Sequence, residues 1–237
     1  LDNFDINFAI KHIPDVLLAV PNTLLLAIVS MLLGTGFGLL VALCRTYRVP
    51  VLNQAGSVYV SFFRGTPLIV QIYLVYYGVP MIIEFMRNQL GIELPFYELP
   101  PMITALIAFT LFAGAYQAET IRSALNAIDR GQLEAAQSIG MTTRQALLRI
   151  IAPQALVSAL PNFGNMFIMI IKATSLAFAV KVIEIMAVAK IAASDGYRYV
   201  EMYLVASMVY WIICVLFEQL FAWMERRTSI YERKITN

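Results

Sequence analysis

The residues able to do chemistry are few in this chain, and their spacing points to docking and binding. Residues 129–153 read DRGQLEAAQSIGMTTRQALLRIIAP, a polar run inside a mostly apolar chain. Asp129 and Gln132 have capping-box spacing for one helix start, and Thr142 and Gln145 repeat it for a second. Gly140 stands after Ile139, where a left-handed residue ends the first helix. In the second helix Leu147, Ile150 and Ile151 share one face, while Arg144, Gln145 and Arg149 point elsewhere. Two short capped helices joined at a corner form an elbow expected to dock with another molecule.

Covalent catalysis has no constellation to work with. The single histidine is His12, and Cys44 and Cys214 lie in or beside separate apolar runs, so neither a metal site nor a disulfide framework is expected. No Gly-x-x-x-x-Gly-Lys-Ser/Thr loop is present to cradle ATP phosphates, and no cofactor is expected on the chain itself. Other polar residues interrupt apolar runs. Arg64 is one, and an arginine in hydrocarbon costs about 2.5–3.5 kcal/mol, so it snorkels, pairs with an acid or lines a water path. Glu119 and Arg122 are three apart and are expected to pair on one helix face. Lys172, Thr174 and Ser175 precede an apolar segment, 176–193, that carries Lys181, Glu184 and Lys190.

The elements that position these residues follow from composition. The 237 residues are 60% hydrophobic and 14% charged, with a net charge of +2. Mean hydropathy is +0.73. Soluble domains run about half apolar and a quarter charged, so the expectation is an all-α integral membrane protein with about five transmembrane helices. The spans are expected at 16–43, about 67–83, about 101–126, 153–172 and 199–223. Small residues around Thr35 (Gly34, Gly36, Gly38) suit close helix approach. Residues 53–63 lie before a break at Arg64-Gly65-Thr66-Pro67, with Thr66 as N-cap and Pro67 first in the next helix. Residues 84–100, with Glu84, Arg87, Glu93, Pro95, Glu98 and Pro100, read as an outer loop. Pro161 and Gly164 are expected to bend the fourth span, and 176–193 to form a partial or re-entrant helix capped by Thr174 or Ser175.

Charge sets the expected orientation. The proposed inner pieces hold Arg45, Arg48, Arg122, Arg130, Arg144, Arg149, Arg226, Arg227, Arg233 and Lys234, and the outer ones Lys11, Arg87, Lys190 and Arg198. That excess puts the N-terminus outside and the C-terminus in the cytoplasm. One transmembrane domain over 1–237 is expected, with 1–15 as an outer N-terminal segment, 129–152 as the elbow and 224–237 as a cytoplasmic tail. Residues 1–15 lack a cleavable-signal pattern, and no internal inverted repeat is visible.

Four stretches carry a family resemblance. Glu134-Ala135-Ala136, then Gly140, Ile150 and Pro153, resemble the EAA motif of ATP-binding-cassette (ABC) importer permeases. SFFRGTPLIVQIYLVYYG and AYQAETIRSAL are similar to second- and third-span patterns of the polar-amino-acid permeases, and TSLAFAVKVIEIMAVAK resembles the cystine-type members. Ala173 departs from the acidic residue common at that place. The resemblance implies a type I importer permease fold in a bacterial cytoplasmic membrane. It implies a second permease chain (the same or a sister), ABC ATPase subunits carrying ATP and Mg, and an extracytoplasmic amino-acid-binding protein. By the same resemblance Glu134, Ala135, Ala136, Gly140 and Arg144 couple to the ATPase.

An amino-acid substrate brings a carboxylate and an ammonium, and both need partners in a low-dielectric path. Thr174 and Ser175, at a helix N-terminus within the membrane, are expected to help bind the carboxylate. Glu184 is expected to receive the ammonium or pair with Lys181, and Arg64 and Lys172 are further path candidates. Capping and structural ion pairing are the plainer alternatives for this group. At the level of the whole chain the rivals are an ion-coupled secondary transporter or channel, and a non-transporting scaffold that recruits a soluble partner.

Overall fold

The computed structural model describes residues 4–92 and 99–235, with side chains described except for Arg130 and 229–235. Glu93, Pro95 and Glu98 of the expected outer loop lie outside the described residues, as do the side chains of Arg130, Arg233 and Lys234. Every regular element among the described residues is helical. In order these are α1 (Ile6–Leu18), α2 (Val20–Thr46), α3 (Leu52–Gly65), α4 (Leu68–Leu90), α5 (Pro101–Ala127), α6 (Arg130–Ser138) and α7 (Thr143–Ala146). A π-turn (Leu147–Ile151) leads into α8 (Ala152–Ala173), and a 3-10 turn (Thr174–Val180) precedes α9 (Ile185–Gly196) and α10 (Tyr199–Ile235). Five helical runs are long and apolar enough to cross a membrane, as the hydropathy pattern predicts.

The bundle is built on the seam between α2 and α5. A Cβ on Gly34 would stand 2.6 Å from the Ala113 Cβ, and one on Gly38 would stand 2.8 Å from the Gly114 carbonyl oxygen. Without those side chains the two backbones approach closely, which is how helices associate where lipid removes the hydrophobic drive between them. Gly36 faces open space, so the small-residue run has one packing edge. The main core joins Leu26, Ile72, Phe109, Ile170, Ile171 and Met202, drawn from α2, α4, α5, α8 and α10.

Several expected boundaries are corrected. Residues 6–18, expected as the end of an outer segment and the start of the first span, form one capped helix: Asp5 Oδ1 accepts from Phe8 N at 3.0 Å, and Ala19 parts α1 from α2. Phe8 lies over Gly196, where a Cβ would meet its ring at 2.4 Å, so α1 is packed on the α9 end. Span α4 runs on to Leu90 and ends at left-handed Gly91, placing Glu84 and Arg87 on a helix and not in a loop. Pro161 lies inside α8, where a bend was expected, and Gly164 makes room for Phe221 of α10.

Thr66 is also corrected. It does not cap α4; it closes α3, its hydroxyl donating to the Phe62 carbonyl at 2.8 Å. Gln71 of α4 reaches back, its Nε2 donating to the Phe63 carbonyl (2.9 Å), the Thr66 carbonyl (3.0 Å) and the Thr66 hydroxyl (2.9 Å). A helix end within a bundle leaves carbonyls that need donors, and one buried glutamine supplies them.

Candidate coupling elbow and substrate path

The elbow forms at the expected place. Helix α6 ends in a Schellman arrangement: Gly140 takes φ +86°, its N–H donates to the Gln137 carbonyl at 3.0 Å, and Met141 N–H donates to the Ala136 carbonyl at 3.1 Å. The Thr142–Gln145 capping box is complete, with Gln145 N to Thr142 Oγ1 at 3.2 Å and Thr142 N to Gln145 Oε1 at 2.9 Å. Gln137 Nε2 donates to Thr143 Oγ1 at 3.2 Å and ties the two helices across the corner. The box expected at Asp129 and Gln132 does not form. Asp129 instead accepts from Gly131 N at 2.8 Å, a shorter cap that serves the same orphan donors.

Ile139 at the apex is 79% exposed, and Glu134, Ala135, Gln137 and Arg144 are exposed beside it. Ala136 is buried against the rest of the chain. Glu134 and Arg144 make no side-chain hydrogen bond or ion pair among the described residues, so both charges are available to a partner. Beyond α7 the helix widens to a π-turn in which Ala152 N–H reaches the Leu147 carbonyl. Pro153 offers no N–H to the preceding turn, and the wider turn ends there.

Behind the elbow three helices are clasped by charge. Glu119 of α5 accepts from Arg45 of α2 through Oε1 and from Arg122 Nη2 through Oε2 at 2.8 Å. Arg45 Nε also donates to Ser57 Oγ of α3 at 3.2 Å. The Glu119–Arg122 pair was legible from spacing. Arg45 was read only as a charge at the membrane edge, because nothing local in the sequence links positions 45 and 119.

The substrate-path candidates fall into two groups. Arg64 is exposed at the α3–α4 break, its guanidinium 5.4 Å from the centre of the Tyr116 ring. Lys172 is exposed at the end of α8. The segment expected as one helix over 176–193 is two pieces, parted at Lys181, which takes a left-handed φ of +65°. Thr174 and Ser175 therefore do not cap a following helix. They close α8, donating to the Ile171 carbonyl (2.7 Å) and the Lys172 carbonyl (2.9 Å).

Glu184 is the cap of α9. Its carboxylate, fully buried, accepts from Met186 N (2.9 Å), Ala187 N (2.8 Å) and the Tyr210 hydroxyl (2.5 Å). Ile185 N donates to Thr23 Oγ1 at 3.3 Å. The first three N–H groups of α9 are thus engaged within the chain. Lys181 is exposed and makes no ion pair with Glu184. Tyr210 and Gln71 were missed by sequence reasoning; each is a lone polar side chain in an apolar span, and only its partner shows what it does.

Comparison with known proteins agrees with this architecture. Residues 34–230 match the family described as binding-protein-dependent transport system inner membrane component. The chain is 41% identical over 226 residues to the probable amino-acid ABC transporter permease protein PatM of Vibrio harveyi, covering 95% of this chain and 97% of that one. It is 38% identical over 232 residues to the L-cystine transport system permease protein TcyL of Bacillus subtilis (strain 168), covering 98% and 95%. The solved structure of an amino acid ABC transporter with histidines superposes with a TM-score of 0.82 at 31% identity, covering 95% of this chain and 99% of that one. A five-span bundle with an EAA elbow, matched over most of its length, places this chain in the family of binding-protein-dependent transport system inner membrane components, among the amino-acid ABC transporter permeases, which are transport subunits and not enzymes.

Proposed function

We propose that this chain carries a polar amino acid, L-cystine foremost, inward across a bacterial cytoplasmic membrane, driven by ATP on partner subunits. The elbow is the observation that carries the reading. A rigid, double-capped corner presenting an exposed Ile139 among unpaired charges fits a cleft on an ATPase that holds the ATP and Mg. Glu134, Ala135, Ala136, Gly140 and Arg144 supply its surface and shape. The basic residues Arg45, Arg48, Arg144 and Arg149 gather at this end, which favours the cytoplasmic side for the elbow and tail and the outer side for α1. A second permease chain completes the path, and an extracytoplasmic binding protein delivers the substrate.

Within the path Arg64 is assigned to the substrate carboxylate, with Lys172 and Ser175 lining the route. Arg64 is a cation with an aromatic face beneath it and no acid paired to it among the described residues. Thr174 and Glu184 hold the wall in place from behind. The likeness to a permease named for L-cystine supports that substrate.

The test is co-purification from native membranes through a tag on the C-terminal tail, with and without Glu134→Lys, followed by uptake of labelled L-cystine in proteoliposomes. An ATP-binding subunit that comes down with the parent and is lost from the variant supports the coupling role. Failure to recover any ATPase with folded parent protein overturns it. Uptake that a tenfold excess of unlabelled cystine does not suppress overturns the substrate.

A further inference from the structure

Beside the elbow runs a groove of about 560 Å³ that the coupling reading touches only at Arg144. Its walls are Leu39 and Leu43 of α2, Leu125 of α5, and Leu148, Leu156 and Phe163 beyond the elbow. Tyr47 and Arg144 stand at one end and Thr35 at the other. Arg144 is the one charged residue lining it and has no acid paired to it among the described residues. We propose that this groove seats one acyl chain of an anionic phospholipid of the inner leaflet, with the lipid phosphate on Arg144.

Length and charge agree on that occupant. From Thr35 to Tyr47 an α-helix rises about 18 Å, close to the half-thickness of about 15 Å of the hydrocarbon core. The groove therefore runs from a headgroup depth to the bilayer middle. Its wet end carries a cation and a phenol, the chemistry that takes a phosphate, and its remaining lining is almost wholly apolar.

The position gives the lipid a role. Its chain touches α2, α5 and the helix leaving the elbow at once, so it braces the elbow against the bundle that the Arg45–Glu119–Arg122 clasp holds. This rests on the elbow facing the cytoplasm, as proposed above.

The experiment uses the full chain with its co-purified partners in nanodiscs of equal phosphatidylglycerol and phosphatidylcholine, read by native mass spectrometry. The parent should retain at least one phosphatidylglycerol per permease chain, favoured at least threefold over phosphatidylcholine. Arg144→Gln should abolish the preference, counted per permease chain whether or not an ATPase stays bound. Leu156→Trp, at an exposed groove position that no core contact depends on, should displace the lipid while leaving Arg144 in place. Equal retention in the parent and both variants overturns the proposal. So does disulfide trapping of Leu148→Cys to a second permease chain, which would show protein in the groove. Labelling of Glu134→Cys by an impermeant maleimide from the outer side would overturn the orientation alone, and the spectrum would still report on the groove.

Discussion

The guanidinium of Arg45, in the last turn of α2, donates to the carboxylate of Glu119 on α5, 74 residues further along the chain. The other oxygen of Glu119 serves Arg122, so one anion holds two cations at the elbow end of the bundle. The Arg45 and Glu119 side chains are 16% and 18% exposed. Removing the shared anion leaves a largely buried cation without a partner, which costs more than the pair itself contributes. Glu119→Gln should therefore destabilise the detergent-solubilised protein by about 2–4 kcal/mol, below the full figure for a completely buried pair. The double variant with Arg45→Gln should recover at least about 1 kcal/mol of that in a double-mutant cycle. A cycle that closes to zero means the clasp is incidental.

Gly140 makes the corner by taking a φ of +86°, while nothing lies within 4 Å of where its Cβ would be. Substitution there is strained by backbone alone, by about 1–2 kcal/mol. Gly140→Val should fold and still assemble, but move the elbow and separate ATP hydrolysis from uptake. Gly140→Asn, whose side chain tolerates the left-handed region, should keep most of the coupling. Uptake at the parent rate in the valine variant would sink the argument, and ATPase assays on the same proteoliposomes show whether hydrolysis persists.

Gly38 and Gly36 make a matched pair on α2. A methyl on Gly38 meets backbone of α5 at 2.8 Å, and a methyl on Gly36 meets nothing. Gly38→Ala should force the helices apart at a cost of about 1–3 kcal/mol. Gly36→Ala should be neutral or raise stability by about 0.5–1 kcal/mol, since alanine loses less entropy in a helix. Thermal midpoints of the two variants, measured side by side in one detergent, decide the matter.

Glu184 separates two roles by what its removal changes. As the buried cap of α9 it engages two N–H groups and the Tyr210 hydroxyl. Glu184→Ala should then cost about 2 kcal/mol or more through the orphaned donors, with the affinity of the remaining folded protein for substrate unchanged. Arg64→Gln should behave in the opposite way, raising the KM for uptake about tenfold or more through the lost charged hydrogen bond while the melting temperature holds. A KM shift at Glu184 with stability intact would restore the ammonium role to that residue.

What the sequence determined by itself is local or cumulative. The five spans follow from apolar runs of membrane length, and the corner at Gly140 and the box at Thr142 follow from bonds that close within a few residues. Those features need no knowledge of distant chain. The tertiary structure alone decided the rest: that Arg45 meets Glu119, that Gln71 closes the end of α3, and that Glu184, held by the Tyr210 hydroxyl, caps α9 while Thr174 closes α8. It also decided that Leu39, Leu125 and Leu156 face one groove with Arg144 at its mouth. A lone polar side chain in an apolar helix takes its meaning from its partner. That partner is set by how α2, α5 and α8 pack, a choice made by close contacts such as Gly38 against Gly114.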